Sequence, residues 1–278
     1  MNHEEFGWLT DDGLKIYAQV WLPEDEVRAV VCLVHGLGEH SGRYKQLPID
    51  LNDSGFVLIG YDQRGHGKSE GKRGHTPSYE AYLSDITKLL QESAKRFPGK
   101  KLFLYGHSMG GNLVINYALR FPSSNISGVI ATGPWLKLSR PLSPFMNKLA
   151  FLLNKYYPSF RTLHSIKSTD ISQLKIGIED EIKDKYMHPW ISARTFISIR
   201  DAGLWALEHA SEFNFPILIM HGGSDKVTSP ESSKEFVSKV KTDCTLKIFD
   251  ELYHEIHNEP GREEIFTTFI HWLEEHTK

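Results

Sequence analysis

The sequence predicts an α/β protein, in which a mostly parallel central sheet is flanked by helices and interrupted by one inserted helical cap. Short apolar runs alternate with helix-like segments, which is typical of strands joined by crossover helices. These runs are continuously apolar, as expected of strands that are buried on both faces. A middle segment of different character separates two such halves, and it indicates an insertion.

The first half begins with a hairpin predicted around the string LKIYAQVWLP. Three short β-rich runs follow, each ending in Gly or Asp, at residues 29–36, 55–62 and 101–106. Between the second and third runs, apolar residues recur at helical spacing over residues 78–97. The order strand, helix, strand predicts that these strands pair in parallel.

The second half continues the same alternation. A strand is predicted at residues 128–134, and the next one only at residues 215–222. The final strand is predicted at residues 245–250, and the last helix is formed by the string REEIFTTFIHWLEEHT.

The stretch between these strands defines the predicted domain organisation. It holds about 70 to 80 residues with repeated prolines followed by aromatic and aliphatic residues, which is too long for a connecting loop in a compact domain. We therefore predict a core formed by residues 1–133 and 206–278, with a helical cap, or lid, at residues 134–205.

Composition excludes several classes of protein. The formal net charge of -3, with acids and bases interspersed, gives no basic face for nucleic acid. The acidic amino terminus does not resemble a signal peptide, and no run approaches the length of a membrane-spanning helix. A cytoplasmic protein is expected, with peripheral membrane contact left open. Cys32 and Cys244 are interpreted as structural, because two isolated cysteines form neither a disulfide framework nor a zinc site.

The string Gly106-His107-Ser108-Met109-Gly110 follows a predicted strand and opens a helical pattern. This is the context of a nucleophile elbow, in which glycines permit a sharp turn and the serine hydroxyl stands above the carboxyl edge of the sheet. The alternative is a tight strand-to-helix turn without chemistry. We expect Ser108 to be a nucleophile and the fold to be that of the α/β-hydrolases.

A serine nucleophile needs a histidine base and an acid that orients it. In this fold the acid and base follow the serine, each in a loop after a later strand. Asp225 and His254 occupy such positions. Asp250, at a strand end, and His257, three residues beyond His254, are the competing candidates.

Two backbone amides are expected to stabilise the oxyanion. This fold uses the N–H after the nucleophile and one from a loop after an early strand. Those donors are Met109 and Leu37, the latter within the string His35-Gly36-Leu37-Gly38, which otherwise is only a glycine turn. No metal or organic cofactor is required.

The glycine-rich string GYDQRGHGKSEG fails as a phosphate loop. A P-loop needs Gly where the chain has Asp62, and a dinucleotide fingerprint needs Gly where it has Glu70. Asp62 and Arg64 are interpreted as residues that stabilise a loop near the active face.

The chain resembles the monoacylglycerol lipase and lysophospholipase family of α/β-hydrolases, also described as serine aminopeptidase-like. The resemblance spans almost the whole chain and is most specific in five strings: HGLGEHSGRY, YDQRGHGKSEG, GHSMGG, HGGSDKVTSP and YHEIHNE. It implies the same triad and oxyanion donors. It also implies that Glu39, Arg43 and His257 lie near the end of the site that binds glycerol.

The resemblance weakens to general character between about residues 134 and 201. The apolar residues there are expected to line an acyl pocket, to contact a membrane or micelle, or to form the core of the cap. They are Trp135, Leu138, Leu142, Phe145, Met146, Leu149, Phe151, Leu152 and Tyr156.

The sequence thus predicts a serine carboxylester hydrolase that cleaves monoacylglycerols or similar fatty acyl esters. General carboxylesterase, lysophospholipase and amidase activities remain alternatives, as does a non-catalytic binding protein. A binding protein has no need of an elbow, an acid and a base together.

Overall fold

A computed structural model describes residues 2–164, 166–173, 183–259 and 261–278 of the 278-residue chain. Its strands are β1 (Asn2–Leu9), β2 (Lys15–Leu22), β3 (Ala29–Val34), β4 (Phe56–Tyr61), β5 (Lys101–His107), β6 (Gly128–Thr132), β7 (Arg161–Leu163), β8 (Trp190–Ser192), β9 (Ile217–Gly222) and β10 (Cys244–Phe249). Eight of them form a sheet in the order β1-β2-β4-β3-β5-β6-β9-β10. The pairs β1–β2 and β2–β4 are antiparallel and the other five pairs are parallel, which confirms the predicted, mostly parallel sheet.

The helices are α1 (Leu47–Asp53), α2 (Tyr79–Arg96), α3 (Met109–Arg120), α4 (Pro144–Tyr156), α5 (Ser168–Ile171), α6 (Ala193–His209), α7 (Pro230–Val237) and α8 (Arg262–Thr277). Helices α2, α3 and α6 pack together on one face of the large sheet, and α1 and α8 lie on the other. Helix α2 starts where the Ser78 hydroxyl accepts a hydrogen bond from the Ala81 amide, an N-cap that satisfies an otherwise unpaired donor.

Strand β3 shows why the central runs are continuously apolar. All six of its residues are buried. Val30, Cys32 and Val34 belong to the core under α2 and α3, whereas the alternate residues belong to the core under α1 and α8. Since successive side chains of a strand point to opposite faces, a strand covered on both faces needs apolar residues at every position.

The inserted segment contains more than the predicted helices. Strands β7 and β8 form a small antiparallel pair, which the sequence did not predict because three residues are too few to show strand periodicity. Helix α6 spans the predicted boundary between residues 205 and 206, and it packs against α3.

Strand order reverses between β3 and β5. The chain leaves β3 for β4 on one side, and later places β5 on the other side. Ligands of open α/β sheets bind at the carboxyl ends of strands beside such a switch point. No helix in the described ranges has the length and apolar character needed to cross a membrane.

Candidate active site

Ser108 lies in a strained turn between β5 and α3. Its φ of 54° and ψ of -115° make it the one non-glycine residue with positive φ in the described part of the chain. Such strain costs on the order of 1–3 kcal/mol and is concentrated at functional sites. The turn depends on neighbouring glycines, because a Cβ on Gly106 would collide with the Gly110 carbonyl and a Cβ on Gly110 with the Val34 carbonyl.

Three predicted residues form one hydrogen-bonded chain. The Ser108 hydroxyl lies 2.9 Å from Nε2 of His254, and Nδ1 of His254 lies 2.7 Å from Oδ2 of Asp225. All three residues are buried. Because a carboxylate only accepts, Nδ1 carries the proton and Nε2 is the acceptor that can take the serine proton.

The Asp225 carboxylate is held from several sides. Its Oδ1 accepts the amides of Val227 and Thr228 at 2.7 and 3.0 Å. Its Oδ2 accepts the Thr228 hydroxyl at 2.8 Å and lies 3.0 Å from Nε2 of His221. Burial alone raises the pKa of Asp225, but attraction to His254 and hydrogen bonds from both histidines hold it well below its usual range.

The surroundings of His254 suit its predicted role as the base. Burial alone lowers the pKa of this imidazole, but attraction to the Asp225 carboxylate and its hydrogen bond outweigh burial and raise the pKa above its ordinary value. Gly133, with φ of 50°, leaves room for the ring, since a Cβ there would lie 3.2 Å from Nδ1 of His254.

The predicted oxyanion donors lie on two loops beside Ser108. A Cβ built on Gly36 would lie 3.3 Å from the Cβ of Ser108, so the loop after β3 passes next to the nucleophile. The amides of Leu37 and Met109 donate to no acceptor among the described residues. Two unpaired N–H groups beside a nucleophile are what a developing oxyanion requires.

The competing candidates lie outside this chain of hydrogen bonds. Asp250 is exposed at the end of β10. His257 is buried, its ring stacks on Tyr44 at 4.9 Å, and burial lowers its pKa to about 4. Neither ring nitrogen of His257 has a hydrogen-bond partner among the described residues.

A charged cluster adjoins the triad. Arg43 donates to both oxygens of Glu255, at 2.6 and 2.9 Å, and lies 3.5 Å from Glu39. Glu39 also accepts the Gly36 amide at 2.5 Å and the Tyr44 hydroxyl at 2.9 Å. The sequence reasoning missed Glu255, although this residue directly follows His254.

A cavity of about 270 Å³ lies over Ser108. Its walls include Glu39, Arg43 and Glu255, the triad residues Ser108 and His254, and the Leu37 loop. Other walls come from the inserted segment, including Asp184, Met187 and His188. His257 is not among the lining residues, so the structure brings two of the three predicted glycerol-site residues to this cavity.

A second cavity of about 270 Å³, here called the apolar chamber, lies beneath α4. It shares Leu37, Trp135, Leu138, His164 and Ile166 with the cavity over Ser108, so the two adjoin. Five of the nine predicted apolar cap residues line it: Trp135, Leu138, Leu142, Met146 and Leu149. The other four, Phe145, Phe151, Leu152 and Tyr156, are exposed.

The site offers groups for proton transfer and acyl transfer. In the described ranges, no group of three or more His, Cys, Asp or Glu side chains is arranged to hold a metal ion.

The chain is similar to known proteins over most of its length. The family model described as serine aminopeptidase, S33, matches residues 25–261. The monoacylglycerol lipase of Paleococcus ferrophilus has a crystal structure that superposes with a TM-score of 0.84, with 35% identity, covering 99% of this chain and all of that one. The monoacylglycerol lipase of Mycolicibacterium smegmatis is 29% identical over 95% of this chain and 94% of its own length. An uncharacterized abhydrolase domain-containing protein of Dictyostelium discoideum is 35% identical over 96% of this chain, which spans 28% of that protein's length.

Proposed function

The chain belongs to the serine aminopeptidase S33 family of α/β-hydrolases and is a carboxylester hydrolase of the lipase and esterase kind, and we propose that it cleaves monoacylglycerols and similar fatty acyl esters. The observation that carries this proposal is the hydrogen-bonded chain from Ser108 through His254 to Asp225. Of these hydrogen-bonded residues, Ser108 and His254 border a cavity with charged side chains in one wall, and that cavity adjoins the apolar chamber. An ester of a long acyl chain with a small polar alcohol matches both regions, because its acyl chain is apolar and its alcohol is polar.

In the acylation step, Ser108 attacks the ester carbonyl while Nε2 of His254 accepts the hydroxyl proton. The Asp225 carboxylate stabilises the imidazolium that forms and remains ionised. The amides of Leu37 and Met109 donate to the oxyanion, and the imidazolium then protonates the departing alcohol. The product bound to the enzyme is an ester of Ser108.

In the deacylation step, water takes the place of the alcohol. His254 removes a proton from that water, whose oxygen attacks the acyl carbonyl, and the collapse of the second tetrahedral intermediate returns the proton to Ser108. The fatty acid leaves and the triad is restored. If deacylation is the slower step, a burst of alcohol precedes steady turnover.

The apolar chamber supports a long acyl group. Leu142, Met146 and Leu149 of the α4 region close it on one side, and Trp135 and Leu138 lie at its border with the catalytic cavity. Burying each methylene of an acyl chain contributes about 0.8 kcal/mol. A chain that fills the chamber therefore gains binding energy that a short ester lacks.

The polar end of the site supports glycerol as the alcohol. Glu39, Arg43 and Glu255 line the cavity over Ser108 and offer both donors and acceptors to hydroxyl groups. Asp184 adds a third carboxylate to the same wall. One guanidinium against three carboxylates disfavours the phosphate of a lysophospholipid, so we place monoacylglycerols ahead of lysophospholipids.

The surface of α4 supports a peripheral contact with lipid. None of its residues is buried, and Phe145, Phe151 and Tyr156 are 73%, 55% and 62% exposed. Acids are absent from this described helix, which carries Lys148 and Lys155. Exposed aromatic residues beside lysines suit an anionic membrane surface. Flotation with phosphatidylglycerol vesicles tests this contact, and a Phe145→Ser/Phe151→Ser variant should float less.

The proposal is tested by hydrolysis of a long-chain monoacylglycerol and of p-nitrophenyl esters of several chain lengths, in wild type and Ser108→Ala. Activity on the monoacylglycerol that the variant loses supports the proposal. Activity confined to short synthetic esters would instead make the chain a general carboxylesterase, and hydrolysis that survives in Ser108→Ala would overturn the triad assignment.

A further inference from the structure

A second imidazole contacts the acid of the proposed triad. His221 lies near the carboxyl end of β9 and is fully buried. Its Nε2 lies 3.0 Å from Oδ2 of Asp225, the same oxygen that lies 2.7 Å from Nδ1 of His254. Two histidine rings therefore share one carboxylate oxygen.

The protonation of His221 follows from its partners. Because a carboxylate can only accept, Nε2 of His221 carries a proton and donates it to Asp225. In the neutral ring Nδ1 is then an acceptor, and the Ser233 hydroxyl of α7 lies 2.8 Å from it. Ser233 is also fully buried. The Asp225 carboxylate therefore fixes the tautomer of His221, and the Ser233 hydroxyl, which can donate to Nδ1, holds the opposite side of the ring.

We propose that His221 is a positioning residue for ester hydrolysis: by donating a hydrogen bond it orients the Asp225 carboxylate and draws part of its negative charge away from His254. The inference rests on the proposed function, because it assigns His221 a role only if His254 is the base. It extends the chain of hydrogen bonds to Ser233, His221, Asp225, His254 and Ser108.

The expected consequence is a change in the basicity of His254. A carboxylate that loses one donor becomes a stronger acceptor for its remaining partners, and at His254 this favours the imidazolium and raises the pKa of the ring. The titratable groups that act on His254 are Asp225, Glu255, Glu39 and the imidazoles of His107 and His257. In the described part of the chain, Asp225 is the only one of these five groups that hydrogen-bonds His221, so replacing His221 leaves the other four in place.

The test compares His221→Leu with His221→Gln in p-nitrophenyl butyrate hydrolysis from pH 5 to pH 9. Leucine removes the donor, and we expect kcat/KM to fall roughly tenfold, since a hydrogen bond to a charged group is lost. We also expect the acidic limb of the profile to move about half a pH unit upwards. Glutamine places an N–H donor near the position of the His221 Nε2, and it should return the acidic limb towards its wild-type pH. An unmoved limb in the leucine variant, or no rescue by glutamine, overturns the inference.

A milder pair of variants keeps the test decisive if a buried leucine prevents folding. Ser233→Ala removes the hydroxyl that holds the His221 ring at Nδ1, and it should move the acidic limb upwards by less than His221→Leu does. Ser232→Ala is the matched control, because that buried hydroxyl donates to the Ser229 carbonyl at 2.6 Å instead. Profiles of Ser233→Ala and wild type that coincide would contradict the inference.

The Ser108→Ala variant distinguishes a failure of the proposed function from a failure of the role proposed for His221. If this variant keeps wild-type activity, the proposed function fails. If it is inactive and the His221 and Ser233 variants leave the acidic limb unmoved, the role of His221 alone is rejected.

Discussion

Val34 and Gly106 are register partners on the parallel strands β3 and β5. Because both strands run in the same direction, the loops that leave them begin side by side at the carboxyl edge of the sheet. One loop carries the Leu37 amide and the other carries Ser108 and the Met109 amide. The pairing of two strands thereby brings together the proposed nucleophile and both proposed oxyanion donors, from positions about 70 residues apart in the sequence.

Replacing the nucleophile should abolish turnover without harming the fold. Ser108→Ala removes one oxygen and should lower kcat by about 10³-fold or more, since members of a serine triad act as a unit. Circular dichroism and the thermal midpoint check that the chain is folded. A fluorophosphonate probe should label wild type at Ser108, and labelling of another residue would contradict the assignment.

The pH profile should report His254. This imidazole must be neutral to accept the serine proton, so kcat/KM falls as the pH drops through its pKa, which Asp225 raises above the ordinary value. Asp225→Asn removes that attraction and should move the acidic limb to lower pH while lowering kcat roughly 10⁴-fold. Asp250→Asn is the control, and a limb that moves in this variant would favour the competing acid.

The length of the apolar chamber should determine which acyl-chain lengths the enzyme prefers. Ala150→Phe places a ring in the chamber, and it should lower kcat/KM for long-chain esters roughly tenfold or more while sparing butyrate esters, because only long chains enter that space. Asn154→Ala is the control, because this residue lies on the same helix and does not line the chamber, and it should leave both activities unchanged. Equal losses on short and long esters in Ala150→Phe would show that the ring acts elsewhere.

Breaking the charged cluster should destabilise the fold in a pH-dependent way. Arg43→Met leaves Glu39 and Glu255 buried without their guanidinium, and the free energy of unfolding should fall by about 3 kcal/mol at neutral pH. Urea titrations measure it. Arg28→Met is the control, because the pair that Arg28 forms with Glu274 is about two-fifths exposed and should contribute little.

The direction of that pH dependence is set by the Glu255 carboxylate. In wild type, burial raises the pKa of Glu255, but Arg43 outweighs burial and lowers it, so this carboxylate adds stability that is lost at low pH. Without Arg43, burial raises the folded-state pKa above 4.5, and the protonated form is favoured in the folded protein. The variant should therefore lose stability as pH rises from 5 to 8, and an increase over that range would contradict the argument.

Much of the fold follows from local pattern. Strands β3, β4 and β5 could be predicted because each lies in an apolar run that ends at Gly or Asp. The elbow could be predicted because its glycines follow a strand and precede a helix. Asp62 is another example, because the sequence predicts that it stabilises a loop. Its carboxylate accepts the Ser41 amide at 2.9 Å and the Lys68 amide at 2.7 Å, and so it connects two loops.

The parts that could not be predicted are contacts between distant positions. Arg43 and Glu255 are 212 residues apart, and neither the string HGLGEHSGRY nor the string YHEIHNE indicates that they form a bidentate pair. His221 sits in a recognised string, but its contact with Asp225 depends on how the turn after β9 folds back. The resemblance places His257 near the glycerol end, whereas its ring packs between Tyr44 and His107, at 4.9 and 4.8 Å.

The inserted segment starts from a fixed point. The amide of Trp135, among its first residues, donates to the Ser108 carbonyl at 3.0 Å, and the segment ends by merging into α6, which packs on the helix that Ser108 begins. Both anchors belong to the nucleophile's own surroundings, while the acyl-facing wall lies between them. The proposed catalytic residues and most of the proposed acyl-binding wall therefore lie in separate stretches of chain. We expect that a cap from a relative, joined at these two anchors, changes the preferred acyl group and leaves the proposed triad in place.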